Sequence, residues 1–365
     1  MTTKPKIAIF YDWLNQWGGA EKVLLDLIKI FPDSPIFTLN YSAKNTPWLS
    51  SSIKVIPSSI DRLPLSHQNP LIYTPFYPLV LEKFDFSQFD IVISTTSTVG
   101  HCLLTPPSTL FVCYFHNVNR YLYQTPKQFK FLTPFLKHYQ QIDFIYGQRP
   151  DYCLCNSNTV KNRIQSAYHR PAQVIYPGVD TSFFVPAKKP QNSDYFLIVS
   201  RLVEHKKIDL AIRACQQTNK KLIIVGDGRC RRQLIKLADK SPHSQTTFTG
   251  KVSPKKLLYL YQNCQALICP QIEDFGLTPL EAQACGKPVI AFNKGGLTET
   301  VISDKTGIFF NHQTTNSLAQ ALIKFNPQNF STTDCTQNAA KFSRKNFMLN
   351  FKQTINQLWR NQISM

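Results

Sequence analysis

Apolar residues along this chain come mostly in short unbroken runs, with few alternating stretches. Lys6-Ile7-Ala8-Ile9-Phe10, Ile36-Phe37-Thr38-Leu39, Asp90-Ile91-Val92-Ile93-Ser94, Thr109 to Tyr114, Tyr152 to Cys155 and Val174-Ile175-Tyr176 are the first six. Tyr195 to Val199, Lys221 to Val225, Thr246 to Gly250, Ala266 to Cys269 and Val289 to Phe292 follow. Runs of this length predict strands covered on both faces, as in parallel sheets. Segments with helical period stand between them: Val23, Leu24, Leu27 and Ile28 on one face, then Thr159 to Ala167, a helix from about Ile208, Pro254 to Asn263 and Thr315 to Phe325. Strand alternating with helix predicts a doubly wound α/β fold. Pro177-Gly178-Val179-Asp180 interrupts the alternation as a hinge, and the polar, proline-bearing Phe184 to Asp194 has a linker composition. We therefore expect two Rossmann-like domains, 1–178 and 179–341, facing across a cleft. The tail from about 342 to 365 reads as an amphipathic helix, with Phe347, Leu349, Phe351, Ile355 and Leu358 as its apolar set. It is expected to pack back on the first domain.

Doubly wound sheets bind ligands at the carboxyl ends of their strands, so the residues there carry the chemistry. The densest such stretch is Glu273-Asp274-Phe275-Gly276-Leu277-Thr278-Pro279-Leu280-Glu281. Thr278 reads as the N-cap of a helix and Pro279 as its first residue. Two carboxylates then bracket a strand-to-helix turn whose free N–H groups form an anion site. The competing explanation is structural: Thr278-x-x-Glu281 also spells a capping box, and Glu273 alone reads as a solvated loop carboxylate. Asp274-Phe275-Gly276 matches the metal-binding triplet of protein kinases, but no His-Arg-Asp catalytic loop precedes it.

Three further strand ends matter. Gly18-Gly19 follows the first strand, where glycines allow a ligand close to the backbone, although turn geometry explains most such pairs. His116 falls just past the Thr109–Tyr114 run and is a ligand candidate or a structural histidine. Arg201 and Lys206-Lys207 follow the Tyr195–Val199 run. Gly226-Asp227-Gly228 is only a fragment of a dinucleotide fingerprint, because Arg231 stands where the third glycine belongs. Two cations and a helix N-terminus suit a diphosphate, and two flanking carboxylates suit sugar and ribose hydroxyls. Together they describe a nucleotide-sugar site.

Composition narrows the partners. The 365 residues carry 41 Lys and Arg against 22 Asp and Glu, a net charge of +19, which implies an anionic ligand or surface. The charge is spread through short clusters such as Lys127, Lys130, Lys137 and His138, or Arg229-x-Arg231-Arg232, each readable as a solvated helix face. No segment approaches the roughly 18 unbroken apolar residues of a membrane span. The ten cysteines lie scattered in apolar segments, and Cys153 and Cys155 have a poor metal spacing. These features predict buried reduced thiols in a cytoplasmic protein, with neither signal peptide nor metal site.

With these motifs in place, the chain resembles the family 4 glycosyltransferases of the GT-B fold over nearly its whole length. Glu273 to Glu281 is the Glu-x7-Glu motif. Gly18-Gly19-Ala20-Glu21, Ser200-Arg201-Leu202, Lys206-Lys207-Ile208-Asp209 and Gly226-Asp227-Gly228 agree with it. The resemblance is to bacterial GDP-mannose-dependent mannosyltransferases of surface polysaccharide synthesis. It implies a role for each matched residue. Arg201 and Lys206 would hold the donor diphosphate, and Gly18 and Gly19 would face it from the N-terminal domain. Glu281 would bond the ribose. Glu273 would hold the transferred sugar, with the N–H groups of Phe275, Gly276 and Leu277. His116 would lie near that sugar, and the backbone at Val252 would meet the base. Many members have glycine where Lys207 stands, which leaves Lys206 and Lys207 as alternatives for the motif lysine.

The resemblance implies a retaining hexosyltransferase without a metal or other cofactor, and the sequence has no Asp-x-Asp metal motif. The nucleotide-sugar is a co-substrate. The acceptor would be a glycan or a lipid-linked sugar. The basic excess and the aromatic Tyr73-Thr74-Pro75-Phe76-Tyr77 would suit peripheral docking on an anionic membrane surface, although simple packing is the better explanation of the aromatics. A UDP-sugar-dependent enzyme of the same fold is the nearest alternative. A glycoside phosphorylase and a non-enzymatic binder of anionic surfaces or nucleic acid are more distant ones; no RNA-binding motif of interleaved basic and aromatic residues occurs.

Overall fold

Most strands form where the apolar runs stand, and the central ones, such as Ile91–Thr96 and Leu110–Phe115, are buried along their whole length. In the computed structural model, which describes residues 4–68, 70–123, 133–189, 193–241 and 245–364, the chain divides into two units. One comprises residues 1–176 with 348–365, the other 177–347. Lys127 and Lys130 of the first basic cluster lie outside the described residues.

In the first unit, β1 (Ile7–Leu14), α1 (Gly19–Ile30), β2 (Ile36–Tyr41) and β3 (Val55–Pro57) come first. Then follow α2 (Tyr77–Leu81), β4 (Ile91–Thr96), β5 (Leu110–Phe115), α3 (Arg120–Tyr123), α4 (Thr133–Tyr146), β6 (Tyr152–Cys155), α5 (Asn158–Tyr168) and β7 (Gln173–Val174). The sheet is parallel with order β3-β2-β1-β4-β5-β6-β7. β1 runs four residues past Phe10, so Asp12 lies inside the strand and not after it. Its neighbours Tyr11 and Trp13 pair with Thr38 and Asn40 of β2, which explains the extension. β3 was not legible as a strand, being three residues that end in proline.

In the second unit the order is β8 (Tyr195–Val199), α6 (Ile208–Gln217), β9 (Lys221–Val225), α7 (Arg231–Asp239), β10 (Thr246–Gly250), α8 (Pro254–Asn263) and β11 (Leu267–Cys269). After them come α9 (Leu277–Ala284), β12 (Val289–Phe292), α10 (Leu297–Thr300), β13 (Gly307–Phe310), α11 (Thr315–Lys324) and α12 (Thr332–Lys341). The parallel order is β10-β9-β8-β11-β12-β13. β13 was also unread. It lies against β12 because Gly307 has no Cβ; one there would come 2.0 Å from the Val289 carbonyl oxygen.

Each unit has its own core. Phe10, Phe111 and Tyr168 are fully buried in the first, and Phe196, Ile224 and Ile268 in the second. All ten cysteines are buried, and burial pushes up thiols such as Cys113 and Cys264, the latter to about 12. The last helix, α13 (Arg344–Ile363), belongs to the first unit from Met348 onward. Phe351 is fully buried there, edge-on to Tyr114 at 5.7 Å. Phe347, Ile355 and Leu358 are buried as well, but Leu349 is 52 % exposed and does not belong to the apolar stripe. It stands two residues from both Phe347 and Phe351, about 200° around the helix.

The aromatic stretch after residue 72 is mixed. Tyr77 is buried against Trp13, whereas Phe76 is exposed. Among the described residues no helix is long and apolar enough to cross a membrane.

Candidate functional site

Strand order reverses between β1 and β4 in the first unit and between β8 and β11 in the second. At such a point the connections leave in opposite directions and open a crevice beyond the strand ends. Most of the sequence-predicted residues sit at these two places or beside them; Val252 follows the edge strand β10.

In the first unit the loop after β1 carries Gly18 as the N-cap of α1, with Gly19 as its first residue. Behind it Glu21 is buried and accepts a 2.7 Å bond from the Tyr11 hydroxyl. Across the reversal, the loop after β4 is organised by Asp12. Its Oδ1 accepts from the Thr96 hydroxyl at 2.7 Å and its Oδ2 from the Ser97 N–H at 2.7 Å. The Thr96 oxygen in turn accepts from the Thr98 and Gly100 N–H groups. Burial pushes the Asp12 carboxyl above its ordinary value, against the pull of these donors. His116 follows β5 directly. Its N–H continues the sheet ladder to Thr96 O, and its Nε2 lies 2.8 Å from Thr95 Oγ1. Asp12 was not singled out from the sequence, although a carboxylate inside an apolar strand is itself a signal, because burying it requires several donors.

Below this loop His101 Nε2 lies 2.9 Å from Asp143 Oδ1, and the Tyr168 hydroxyl donates to Asp143 Oδ2 at 2.9 Å. With Cys102 these form the one group of metal-ligating residues at suitable spacing among the described residues. His101 Nε2 and the aspartate pair with each other there, while the buried His101 Nδ1 has no hydrogen-bond partner among the described residues. Burial alone would lower the imidazole pKa, but the neighbouring Cys102 sulfur and Asp143 carboxylate outweigh it and hold it well above 6.5. A raised folded-state value contributes stability that is complete below the unfolded pKa and is lost as pH rises through the folded one. The stability difference between the native chain and His101→Gln should therefore be largest below about pH 6.5 and shrink at alkaline pH. Melting curves of both across pH check this; a constant difference would contradict the ion pair.

In the second unit the turn after β11 differs from its sequence reading in one respect. The helix starts at Leu277, two residues earlier than expected. Its N-cap is Gly276, at φ +101°, and not Thr278. Pro279 is accommodated at the third position, where a missing N–H leaves no intrahelical bond unmade. Glu281 consequently falls at the start of the second turn, and the capping-box explanation no longer applies, since it requires the carboxylate at the third position. Glu281 is 2 % exposed, and its Oε2 accepts a 2.8 Å bond from the Tyr261 hydroxyl of α8. Tyr261 was missed because no local pattern links residues 20 apart.

Glu273 stands at the other end of the turn. Lys206 reaches it from the loop between β8 and α6, with Nζ 2.6 Å from Glu273 Oε1. This sets Lys206, and not Lys207, against the turn. Lys207 is exposed and serves instead as the N-cap of α6 at φ +53°, the left-handed conformation that glycine adopts without strain. Arg201 lies on the same loop, exposed, two residues past β8. Gly226 and Gly228 press against this loop, where a Cβ would come 1.9 Å from Ser200 O and 2.4 Å from Leu202 O respectively. Phe275 is buried edge-on to Phe342, with Gly276 and Leu277 following it into the helix. Val252 is half-buried between β10 and α8.

Gly295-Gly296, after β12, holds the turn from behind. The Gly296 N–H donates to Glu273 O at 2.8 Å. A Cβ on Gly296 would lie 2.4 Å from both Asp274 O and the Phe275 Cα. The turn thus combines a neutralised carboxylate, a second carboxylate held by a tyrosine, and the open N-terminus of a helix. This arrangement can accept hydroxyl donors at both ends and an anion between them.

Residues 180–342 match the family described as "Glycosyl transferases group 1", and residues 17–183 match "Glycosyltransferase Family 4". The chain is 32 % identical over 204 residues to the GDP-mannose-dependent alpha-(1-6)-phosphatidylinositol monomannoside mannosyltransferase of Mycobacterium tuberculosis, covering 49 % of this chain and 53 % of that protein. The chain thus spans about half the length of the curated relatives it matches. Among solved structures, sucrose-phosphate synthase from Thermosynechococcus elongatus superposes with a TM-score of 0.80 at 17 % identity, covering 97 % of this chain and 100 % of the other. HepE from Anabaena, in complex with UDP-glucose, does so with a TM-score of 0.74 at 19 % identity, covering 97 % and 100 %. The two family matches adjoin at residues 180–183 and together run from 17 to 342, and the chain belongs to the group 1, family 4 glycosyltransferases with the GT-B fold.

Proposed function

We propose that this protein is a retaining, metal-independent hexosyltransferase that moves mannose from GDP-mannose to a lipid-linked or polysaccharide acceptor. The observation that carries this reading is the turn between β11 and α9, where Lys206 meets Glu273 at one end and Tyr261 holds Glu281 at the other. Arg201, Lys206 and the N–H groups of Phe275, Gly276 and Leu277 stabilise the departing diphosphate electrostatically. Glu281 accepts from the ribose, Glu273 from the transferred sugar, and the backbone at Val252 meets the base. The bond between the anomeric carbon and the phosphate oxygen breaks, the acceptor oxygen bonds that carbon on the same face, and its proton passes to the departing phosphate. The mannose assignment draws on the mycobacterial relative, whose printed activity is GDP-mannose-dependent.

A lipid-linked acceptor accords with one surface of the first unit. Leu63, Leu65, Ile72, Phe76 and Leu79 are all exposed, and the Tyr73 hydroxyl ties the two segments together by donating to Pro64 O. With the basic excess, this surface supports peripheral contact with the inner face of a membrane.

A second donor reading is favoured by HepE, whose solved complex contains UDP-glucose. Thermal stability against GDP, UDP and ADP, then their sugar conjugates, separates the two. A ligand at a hundred times its Kd adds about 2.7 kcal/mol, a shift of several degrees. A shift with GDP and GDP-mannose alone is expected. A shift with UDP-sugars alone overturns the mannose assignment and keeps the enzyme class.

A further inference from the structure

Gln271 belongs to none of the motifs so far described. It lies two residues before Glu273, at a bend between β11 and the turn. It is 4 % exposed. Its side-chain N–H donates to Glu273 Oε1 at 2.6 Å, the same oxygen that Lys206 Nζ contacts at 2.6 Å. A carboxylate has two oxygens and accepts at about four positions. Both protein donors therefore meet one oxygen.

We infer that Gln271 is a positioning residue which, together with Lys206, saturates Oε1 of Glu273 and so presents Oε2 to the hydroxyls of the transferred sugar. The inference rests on the donor-site reading above. The two donors differ in what happens when the donor arrives. The Lys206 ammonium is also drawn to the diphosphate, so its hold on Glu273 weakens as the site fills. The Gln271 amide carries no charge and has no such competing attraction. It keeps the carboxylate in one rotamer while the lysine is shared. Pro270 is fixed just before it by the Gln313 side chain, which donates to Pro270 O at 2.8 Å, and Gly296 fixes Glu273 O just after it. The amide is thus carried on backbone anchored on both sides.

The amide is needed as a donor, and that gives a specific test. Gln271→Glu is nearly isosteric but places a second carboxyl against Glu273. Like charges so close cannot both ionise, so the pair retains one proton over a raised pH range. Protonated, the new carboxyl donates to Oε1 as the amide does; deprotonated, it repels Glu273. Lys206 faces the pair and opposes the rise. Cys269 of β11 is close by, but burial pushes its thiol up and it stays neutral.

The experiment compares the affinities of GDP and GDP-mannose for the full chain by titration calorimetry, from about pH 5.5 to about pH 8.5. If the thermal series selects UDP, UDP and UDP-glucose replace them. Gln271→Leu should leave GDP affinity unchanged and weaken GDP-mannose about tenfold at every pH, the size expected for one lost hydrogen bond to a charged group. Gln271→Glu should weaken GDP-mannose as much at the alkaline end and recover towards the native value as pH falls. Equal loss of both ligands, or native behaviour in both variants, overturns the inference. Glu273→Ala in the same titration separates the two levels. If it does not weaken GDP-mannose relative to GDP, the donor-site reading itself falls. If it does, and the Gln271 variants do not, only the inference falls.

Discussion

Glu273→Ala is expected to lower sugar transfer by about 10²–10³-fold, the loss seen when one electrostatic stabiliser of a developing charge is removed. Two effects combine. The sugar loses the carboxylate that orients it, and Lys206 loses the partner 2.6 Å away that holds its ammonium in place. Neither group is deeply buried, with side chains 14 % and 18 % exposed, so the fold should survive the loss. Melting temperature is then expected to change little while turnover collapses. Lys206→Ala should also be costly, and the double variant should be less impaired than the sum of the single losses, because the two side chains act on each other. Steady-state rates of donor turnover for the three variants check this. Near-native turnover in Glu273→Ala, with the fold intact, would remove Glu273 from the site.

Gly295→Ala should show the second large effect, on stability and activity together. Gly295 is at φ +72°, where an L side chain is strained, and a Cβ there would lie 2.4 Å from the Glu273 carbonyl oxygen. Gly250 provides the control, since it too has a positive φ, +68°, but an added Cβ meets nothing within 4 Å. Gly250→Ala therefore carries backbone strain alone, on the order of 1 kcal/mol or somewhat more. Gly295→Ala adds overpacking of about 1–3 kcal/mol and pushes the backbone of Glu273 away. The melting point should fall several degrees further in Gly295→Ala than in Gly250→Ala, with transfer reduced only where Glu273 is displaced. Equal melting points in the two variants would show that the turn yields freely, and that Gly295 does not set it.

The sequence by itself determined the architecture of each unit. Apolar runs such as Leu222-Ile223-Ile224-Val225 can only be satisfied between two helical layers, and their alternation with amphipathic segments dictates parallel strands. It also determined where ligand chemistry would concentrate, because charged residues such as Arg201, Lys206 and Glu273 followed directly on those runs. What it did not settle lay at lengths where local and tertiary preferences compete. Thr278 is a better N-cap than Gly276 on local grounds. The tertiary turn nevertheless required a positive φ at residue 276, and the helix began there. β3 ends in proline and pairs with β2, and β13 lies against β12 where Gly307 leaves room for the Val289 carbonyl; neither pairing is visible in the local sequence.

The detailed site was decided only by the tertiary structure. Lys206 and Lys207 are indistinguishable in sequence; the αL turn at Lys207 sends one side chain to Glu273 and the other to solvent. Tyr261 reaches Glu281 across two helices, and Asp12 holds the loop after β4 from a neighbouring strand. These pairings join residues between 20 and 85 apart in the chain. They arise because parallel crossovers return every strand end to the same edge of the sheet, a geometric consequence that no local stretch of sequence encodes.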